Sequence, residues 1–285
     1  MTGVFLQLKQ IKEDNKFMKL IVIPPYRGMN WIPTDGHYML SELINAMQKR
    51  GQLEGVEITI DEGQPSEHNT KTPGDAFYID ATAGFLKRIR IYCDGDKYDA
   101  IISSAGNDLG FHAARMLSKI PVVFSLHAVI HIASLIGDRF SVLQPVYSSA
   151  LTSRHSAENY GFGPKLVSAR YLSYPKDKIA ELVYKKKEGQ VESSEMKKFI
   201  DEVMAQCIMA IEEDRVDTLA LVFPGLQCFV DEIREKLNGS GYNEIPIISA
   251  LPAAIEMAKA MVNMKLKQAS RAYPSHSLKA IPKFR

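Results

Sequence analysis

Short apolar runs alternate with segments of helical spacing along most of the chain. Most of these runs have the length and continuous apolar character of strands that are buried on both faces of a sheet. They cover 18–23, 56–60, 99–103, 120–124, 140–143, 165–171, 218–223 and 245–248. Helical patterns between them cover 36–50, 77–91, 113–117, 128–136, 149–160, 195–214, 228–237 and 252–264. This alternation predicts an α/β fold with parallel sheets covered by helices.

Composition limits the class of protein. The chain has 285 residues, of which 46% are hydrophobic and 24% charged, as in an ordinary globular protein. This length suits two small α/β domains or one large one. The formal net charge of +2 gives no reason to expect nucleic acid as a partner. No apolar run reaches the roughly 18 residues of a membrane span, and charged residues interrupt the first 17, so we expect no membrane partner and a cytoplasmic location.

The cysteines Cys93, Cys207 and Cys228 have no paired metal-ligand spacing. They are typical of a reduced, intracellular protein rather than a disulfide scaffold. Cys207 falls on the inward side of the predicted helix 195–214, which predicts a core position. The sequence also lacks a P-loop and a convincing Gly-rich dinucleotide fingerprint.

The third apolar run ends abruptly in a loop of small and polar residues, and a helical pattern follows. Strand, loop and helix in this order place ligand-binding groups at the carboxyl edge of an α/β sheet. Ser104, Gly106 and Asn107 suit a carboxylate, because small residues admit a ligand to the backbone and the following helix N-terminus favours an anion. Asp108 is a candidate for proton transfer, or else a cap of the helix that starts near Gly110.

Further candidates follow other predicted strands. Tyr26 and Arg27 come after the first run, where Arg27 is either a bidentate carboxylate ligand or an ordinary surface arginine. His127 comes after the fourth run and is either a proton carrier suited to neutral pH or a structural residue at a helix start. Gln144 and Tyr147 follow the fifth run and complete this set of candidate binding residues.

A second histidine, His131, lies four residues after His127, so the two share one face of the predicted helix. Such a pair needs a third ligand to hold zinc, and no third ligand has a clear spacing. We therefore expect no metal and interpret His131 as a packed residue.

Five blocks of the chain carry a family resemblance through their order and spacing. They are 105–115, 120–131, 137–142, 223–226 with 231–233, and 245–248. In this order they resemble the aspartate/glutamate/hydantoin racemase superfamily over most of 18–264. The resemblance implies two similar Rossmann-like domains with parallel sheets and an active-site cleft between them. It also implies that the substrates are small carboxylates, amino acids or cyclic amides and that no cofactor is used.

The predicted domain division assigns 18–120 plus 224–264 to the first α/β domain and 121–223 to the second. Residues 1–17 are then an N-terminal extension, and 265–285 are a basic tail that either wraps a neighbouring subunit or is disordered. The tail and the resemblance together favour a homo-oligomer.

Racemases of this family use two cysteines, one per domain, to remove and return a proton on opposite faces of a carbon acid. By alignment these positions fall on Ala105 and Phe223, whose side chains cannot transfer a proton. The family's usual acid is replaced by His127, and its usual asparagine by Tyr26. These departures argue against ordinary two-cysteine racemisation.

The second half of the predicted site comprises Phe223, Pro224 and Gly225. The apolar ring of Phe223 suits an aromatic or alkyl substituent of a ligand, and it desolvates charge opposite it. The backbone of Gly225 offers a hydrogen-bond donor. One-sided chemistry fits this arrangement better than racemisation does.

The leading hypothesis is a cofactor-independent lyase, decarboxylase or isomerase for a small carboxylate or cyclic amide, with Asp108 or His127 as the proton carrier. The first alternative is a non-catalytic small-ligand-binding or scaffold protein. The second is a racemase with non-thiol bases. A cleft into which both proton carriers point favours an enzyme, whereas one filled by Phe223, Tyr26 and Trp31 favours a binding protein or scaffold.

Overall fold

A computed structural model describes residues 17–25, 37–64, 75–189 and 193–274. Within these segments the strands form two four-stranded sheets, in which neighbouring strands are parallel. The strands are β1 (Met18–Ile23), β2 (Val56–Ile60), β3 (Ala100–Ser103), β4 (Val122–Phe124), β5 (Phe140–Gln144), β6 (Leu166–Tyr171), β7 (Thr218–Leu221) and β8 (Ile247–Ser249). The predicted α/β class with parallel sheets is confirmed.

Helices connect these strands. They are α1 (Tyr38–Lys49), α2 (Asp75–Tyr92), α3 (Phe111–Leu117), α4 (Ser125–Ile136), α5 (Tyr147–Asn159), α6 (Lys176–Lys187), α7 (Ser194–Glu212), α8 (Pro224–Gln227), α9 (Val230–Gly239) and α10 (Ala250–Asn263). The sequence pattern did not predict α6, because its short apolar stripe is flanked by lysines. The predicted helix over 228–237 corresponds to α9, with both ends two residues later, whereas the short helix α8 was not predicted. Within the described segments, none of the helices has the length and apolar character needed to cross a membrane.

Both sheets have the same strand order, β2-β1-β3-β4 in the first and β6-β5-β7-β8 in the second. The order reverses between β1 and β3, and again between β5 and β7. Open α/β sheets bind ligands outside the carboxyl ends of their strands at such a reversal. The loops after β3 and β7 therefore occupy equivalent places in the two sheets.

The helix that follows the last strand of each sheet packs on the other sheet. α4 follows β4 but packs against β7 and β8, and α10 follows β8 but packs against β3 and β4. The two helices also pack against each other. One apolar core, which includes Val22, Ile102, Val142 and Val222, therefore joins the two sheets.

This exchange of helices changes the predicted grouping of two strands. β4 pairs with β3 and β8 pairs with β7, whereas the predicted ranges place 121–124 in the second domain and 247–249 in the first. α10 does contact the first sheet, as expected for a segment within 224–264, but the strand before it completes the second sheet. We propose that the domain boundary follows the sheets and lies between β4 and β5.

Two further clusters cover the outer faces. Phe85 and Phe124 pack with α3 on the outer side of the first sheet. Phe199 and Phe229 pack with α6 and α9 on the outer side of the second. Cys207 is 2% exposed in this last cluster, which confirms its predicted core position.

Gly137 ends α4 at a point where no side chain fits. A Cβ atom there would lie closer than 3.0 Å to side-chain oxygens of Asp217 and Thr218. The Asp217 carboxylate cannot easily move, because it accepts hydrogen bonds from the backbone N–H groups of Asp138 (2.9 Å) and Arg139 (3.1 Å). We expect Gly137→Ala to lower the free energy of unfolding in urea by about 1–3 kcal/mol through overpacking.

The matched control is Gly239→Ala, because a Cβ atom on Gly239 meets no described atom within 4 Å. We expect this control to unfold at the wild-type urea concentration or slightly above it. Equal unfolding free energies for the two variants would contradict the prediction.

Candidate functional site

The loop after β3 is fixed at the meeting point of three strands. The backbone N–H of Ser104 donates to the carbonyl of Ile23 at the end of β1 (3.2 Å). The hydroxyl of Ser125, after β4, donates to the carbonyl of Ser103 (2.7 Å). Asp108 has a positive φ of 47°, a backbone conformation that turns the chain sharply before α3. The loop therefore presents its small residues at the carboxyl edge, as its sequence predicts.

The carboxyl ends of the two sheets meet at Gly106. The side-chain amide of Gln144, at the end of β5, donates to the Gly106 carbonyl at 3.4 Å. A Cβ atom on Gly106 would lie 3.2 Å from Cγ1 of Val222, which follows β7. Ala105 is buried beside this junction, with 2% of its surface exposed. The structure thus brings together Ala105, Gly106 and Gln144 of the predicted site.

The segment after β7 forms the side of the candidate site that lies opposite the loop after β3. Phe223 is half-buried and directly precedes α8, which begins with Pro224. A Cβ atom on Gly225 would lie closer than 3.0 Å to the ring of Phe223 and to Ile179 of α6. Close packing therefore requires glycine at position 225. The segment of Phe223 to Gly225 lies tightly against α6.

Gln227 holds this segment to α10, and sequence reasoning missed it. Its side-chain amide donates to the Val222 carbonyl (2.7 Å), and its side-chain oxygen accepts from the backbone N–H of Leu251 (3.0 Å). Gln227 is 1% exposed, so both bonds form away from water, where they hold their partners most firmly. The one signal in the sequence is an amide side chain shortly after the predicted strand 218–223.

The carboxylate of Asp108 is buried and fully engaged. It accepts hydrogen bonds from the Tyr160 hydroxyl (2.8 Å) and from the backbone N–H of Leu126 (3.2 Å), and also from the backbone N–H of His127. Burial raises the pKa of this carboxyl to about 7, against the lowering effect of the hydrogen bonds. Leu126 and His127 lie in the first turn of α4, so Asp108 caps that helix. The alternative prediction, that Asp108 caps the helix starting near Gly110, was wrong, because Asp108 caps α4 instead.

His127 lies inside the first turn of α4, although the sequence pattern starts this helix at 128. Its ring packs against that of His131, with 4.0 Å between ring centroids, and against the rings of Phe111 and Tyr160 at 5.0 and 4.8 Å. Burial, helped by the positive potential of His131 and Arg115, lowers the pKa of His127 to about 3. The imidazole is therefore neutral near pH 7 and a weak base.

His131 is a packed residue, as interpreted from the sequence. Its Nδ1 atom lies 2.8 Å from the carbonyl oxygen of His127, and its ring packs on Phe162 with 4.7 Å between centroids. Among residues 17–25, 37–64, 75–189 and 193–274, no group of three His, Cys, Asp or Glu side chains is arranged to hold a metal ion.

An arginine that sequence reasoning missed completes this aromatic cluster. The Arg115 guanidinium lies 3.8 Å from the centroid of the Phe111 ring and donates to the hydroxyl of Tyr273 at 2.9 Å.

The C-terminal segment that contains Tyr273 also contacts edge strand β4. The side-chain amide of Gln268 bonds both the N–H and the carbonyl of Val122, each at 3.0 Å. Residues 265–274 therefore pack on their own first sheet, whereas the sequence suggested a neighbouring subunit or disorder; 275–285 lie outside the described residues.

The remaining predicted site residues divide into two groups. Tyr147 is the first residue of α5, and its exposed ring contacts that of Tyr171, with 5.4 Å between centroids. Tyr26, Arg27 and Trp31 lie outside the described residues.

None of the cysteines occupies the end of β3 or β7. Cys93 follows α2, and Cys207 is buried in α7. Cys228 follows α8, where burial raises the pKa of its thiol to about 12. Its Sγ lies 3.6 Å from the carbonyl oxygen of Met39 in α1. A thiol of this kind stays protonated near neutrality, so it is a poor proton acceptor.

Two parallel sheets of like topology, whose carboxyl edges meet at Gly106, define a class of two-domain α/β proteins. The family model for Asp/Glu/Hydantoin racemase matches residues 28–258, so the chain belongs to that family. The expected family resemblance is confirmed.

Individual relatives are distant. A hydantoin racemase from Pseudomonas sp. (strain NS671) is 23% identical over 174 residues, which are 59% of this chain and 60% of that protein. A hydantoin racemase from Rhizobium meliloti is 23% identical over 203 residues, which are 71% of this chain and 76% of that protein. The match to the first therefore spans less than two thirds of its length.

Among solved structures, allantoin racemase from Klebsiella pneumoniae superposes with a TM-score of 0.68 and 22% identity. The superposition covers 94% of this chain and 95% of that one. At this identity the likeness shows the fold alone.

The raised pKa of Asp108 has a consequence for stability. Between pH 3.8, the ordinary value of the group, and about pH 7, the folded state holds the proton more tightly than the unfolded state. Stability from this group is therefore greatest at the acidic end and is lost as pH rises to about 7. We expect the free energy of unfolding of the wild type, relative to Asp108→Asn, to fall by up to about 4 kcal/mol across that window.

Urea denaturation of both proteins at pH 4 to pH 8 measures this difference. Asp201→Asn, which removes an exposed carboxylate on α7, is the control. A difference between wild type and Asp108→Asn that stays constant with pH would contradict the assignment of Asp108.

The lowered pKa of His127 predicts the opposite slope. Between about pH 3 and pH 6.5 the unfolded state binds the proton that the folded state refuses, so the wild type gains stability as pH rises. We expect its free energy of unfolding, relative to His127→Gln, to rise over this window and level off above it. His155→Gln on the exposed side of α5 is the control, and a level difference for His127→Gln would refute the prediction.

Proposed function

We propose that this racemase-family chain binds a small carboxylate or cyclic amide at the junction of its two sheets, as a binding protein and not as a proton-transferring enzyme. The observation that carries the proposal is the engagement of Asp108. Its buried carboxylate accepts hydrogen bonds from the Tyr160 hydroxyl and from the first turn of α4, which it caps. The sequence alone favours an enzyme with Asp108 or His127 as the proton carrier, with a binding protein as the first alternative. The structure leads us to prefer the binding protein.

The reasoning begins at the ends of β3 and β7. In our alignment Ala105 and Phe223 stand where racemases of this family carry their two cysteines. An alanine methyl and a phenyl ring have no proton to exchange, and Ala105 is closed off from solvent. The two positions that would face opposite sides of a carbon acid are thus chemically inert.

The two predicted replacements also argue against proton transfer. Asp108 would need to break its bond to Tyr160 and uncap α4 before it could reach a ligand. His127 is a weak base, because its burial, and then its charged neighbours, disfavour the imidazolium form. Proton abstraction from carbon needs a base with a pKa near the working pH.

Ligand binding needs no proton carrier, and the junction of the two sheets offers groups that can contact a ligand. The half-buried Asn107 and the small Gly106 offer polar groups at the end of β3, and Phe223 offers an apolar face opposite them. Such a combination, mostly apolar with a few polar groups, is typical of a small-molecule site. Cyclic amides are included because the named relatives act on hydantoins and allantoin. A homo-oligomer remains a prediction.

Calorimetric titration with hydantoins and small dicarboxylates tests this proposal. We expect saturable binding that Asn107→Ala weakens about tenfold through a lost hydrogen bond to the ligand. Asn238→Ala, which changes an exposed asparagine of α9, is the matched control and keeps wild-type affinity. Absence of saturable binding for every ligand of these classes would overturn the proposal.

Proton exchange separates binding from catalysis. In D2O we expect the wild type to incorporate no deuterium at the α-carbon of either hydantoin enantiomer beyond the rate without protein, as followed by proton NMR.

A one-base isomerase or lyase is the second candidate, favoured by the pKa of about 7 of Asp108, which suits a proton carrier near neutrality. Exchange that the wild type catalyses and Asp108→Asn abolishes would establish that candidate and refute ours.

A further inference from the structure

The edge strands β4 and β8 occupy equivalent places in the two sheets but differ in what covers them. Each directly follows a proline, Pro121 in the first sheet and Pro246 in the second. All three residues of β4 are buried, whereas all three residues of β8 are only partly buried. Gln268 covers the first edge through its two bonds to Val122. Within the described segments, no side chain forms a hydrogen bond to the backbone of β8.

The strand register shows which backbone groups of β8 face away from its sheet. The N–H of Leu219 on β7 donates to the Pro246 carbonyl at 3.0 Å, and the first sheet has the equivalent bond to the Pro121 carbonyl at 2.9 Å. Backbone groups of a strand point alternately to its two neighbours, so the residue after such a proline directs its own N–H and carbonyl outward. Ile247 is therefore placed as Val122 is, with both groups directed away from the sheet.

A cavity of about 610 Å³ lies beside β8. Its lining includes Ile247, Ile132 of α4 on the inner side of the second sheet and Val230 of α9 on the outer side. Met47 of α1 lines it from the first half of the chain. Because the lining comes from both sides of the sheet, the cavity lies past the edge, where the free groups of Ile247 point. Its volume is within the roughly 300–1,000 Å³ of small-molecule sites.

The charged side chains that line this cavity each have an ion-pair partner. The pairs are Arg50 and Arg234 with Asp231, Lys186 with Glu232, Lys187 with Glu42, and Lys259 with Glu256. A charged ligand would have to compete for one of these partners, whereas a neutral ligand would not. Most of the other lining side chains are apolar, so the cavity suits a neutral ligand with an apolar body.

The first sheet shows which chemical group fits such an edge. The side-chain amide of Gln268 accepts from the N–H of Val122 and donates to its carbonyl, each at 3.0 Å. A primary amide offers a donor and an acceptor side by side, and it thereby satisfies both outward groups of one residue.

We propose that the cavity beside β8 binds a small neutral carboxamide with an apolar body, whose amide group bonds the N–H and the carbonyl of Ile247. None of Gly106, Gln144 and Phe223 lines this cavity, so the site is separate from the junction of the two sheets. The inference does not rest on the function proposed for that junction.

Amide hydrogen exchange, followed by NMR, measures the proposed bond directly. Without ligand we expect the N–H of Ile247 to exchange at least about tenfold faster than that of Val122, because only Val122 has a side-chain partner. We expect 3-methylbutanamide, at about ten times its Kd, to slow exchange at Ile247 about tenfold and to leave Val122 unchanged.

Two further ligands with the same alkyl body separate amide recognition from apolar packing. N,N-dimethyl-3-methylbutanamide has no N–H to donate to the Ile247 carbonyl, and 3-methylbutanoate carries a charge in place of the amide nitrogen. We expect neither ligand to slow exchange at Ile247 at the same concentration.

A variant that fills the cavity locates the binding site. Ala46 lines the cavity from α1, and we expect Ala46→Phe to abolish the effect of 3-methylbutanamide on Ile247. Ala205→Phe, which places the same ring on the exposed side of α7, is the matched control and keeps the effect.

Several results would overturn the proposal, and two of them need only the wild-type protein. In the ligand-free wild type, an N–H of Ile247 as protected as that of Val122 would mean that the edge is already covered. Exchange at Ile247 that 3-methylbutanamide leaves unchanged, or that the dimethyl amide slows equally, would exclude the two amide bonds. Slowing that persists in Ala46→Phe would place the ligand elsewhere. None of these results alters the proposal for the junction at Gly106, which calorimetry with Asn107→Ala tests separately.

Discussion

The packing of α4 against α10 is the constraint on which the rest of the molecule depends. Each helix leaves one sheet and covers the other, so the core between the sheets is built from both halves of the chain. Because apolar burial is the main favourable contribution to folding, neither sheet has a complete inner face without the other half. This shared core fixes the distance between the two carboxyl edges, and it thereby brings Gln144 within reach of Gly106.

The same helix α4 explains why the site's ionisable groups behave as they do. Its first turn has backbone N–H groups without partners inside the helix, and a carboxylate is well suited to satisfy them. Asp108 takes this role from the loop after β3, and the aromatic rings of Phe111 and Tyr160 close around it. A carboxylate and an imidazole placed here are used to hold β3, α4 and the end of α5 together. Their titrations change stability in opposite directions over much of the same acidic range.

Much of the fold could be predicted from the sequence, because continuous apolar runs and helical spacing are local properties. The strand ends were also predictable, and with them the positions of Ala105, Gly106 and Phe223. The membership of β4 and β8 was not, since it depends on where α4 and α10 pack, and no local pattern encodes that. The role of Asp108 could not be predicted either, because its partner Tyr160 is far along the chain. α6 was missed because its lysines conceal the apolar stripe around Ile179.

The contact between Gln268 and β4 has a meaning beyond holding down the tail. An edge strand offers unpaired N–H and carbonyl groups, on which the strand of another molecule can grow a mixed sheet. At Val122 a side-chain amide takes the place of one peptide unit of such an intruder and satisfies both groups at once. At Val122 the edge of the first sheet is therefore paired with a side chain of the same molecule. A side chain bonded at this point disfavours the pairing of another molecule's strand with the edge, and the bond between Arg115 and Tyr273 ties the same C-terminal segment to the first sheet.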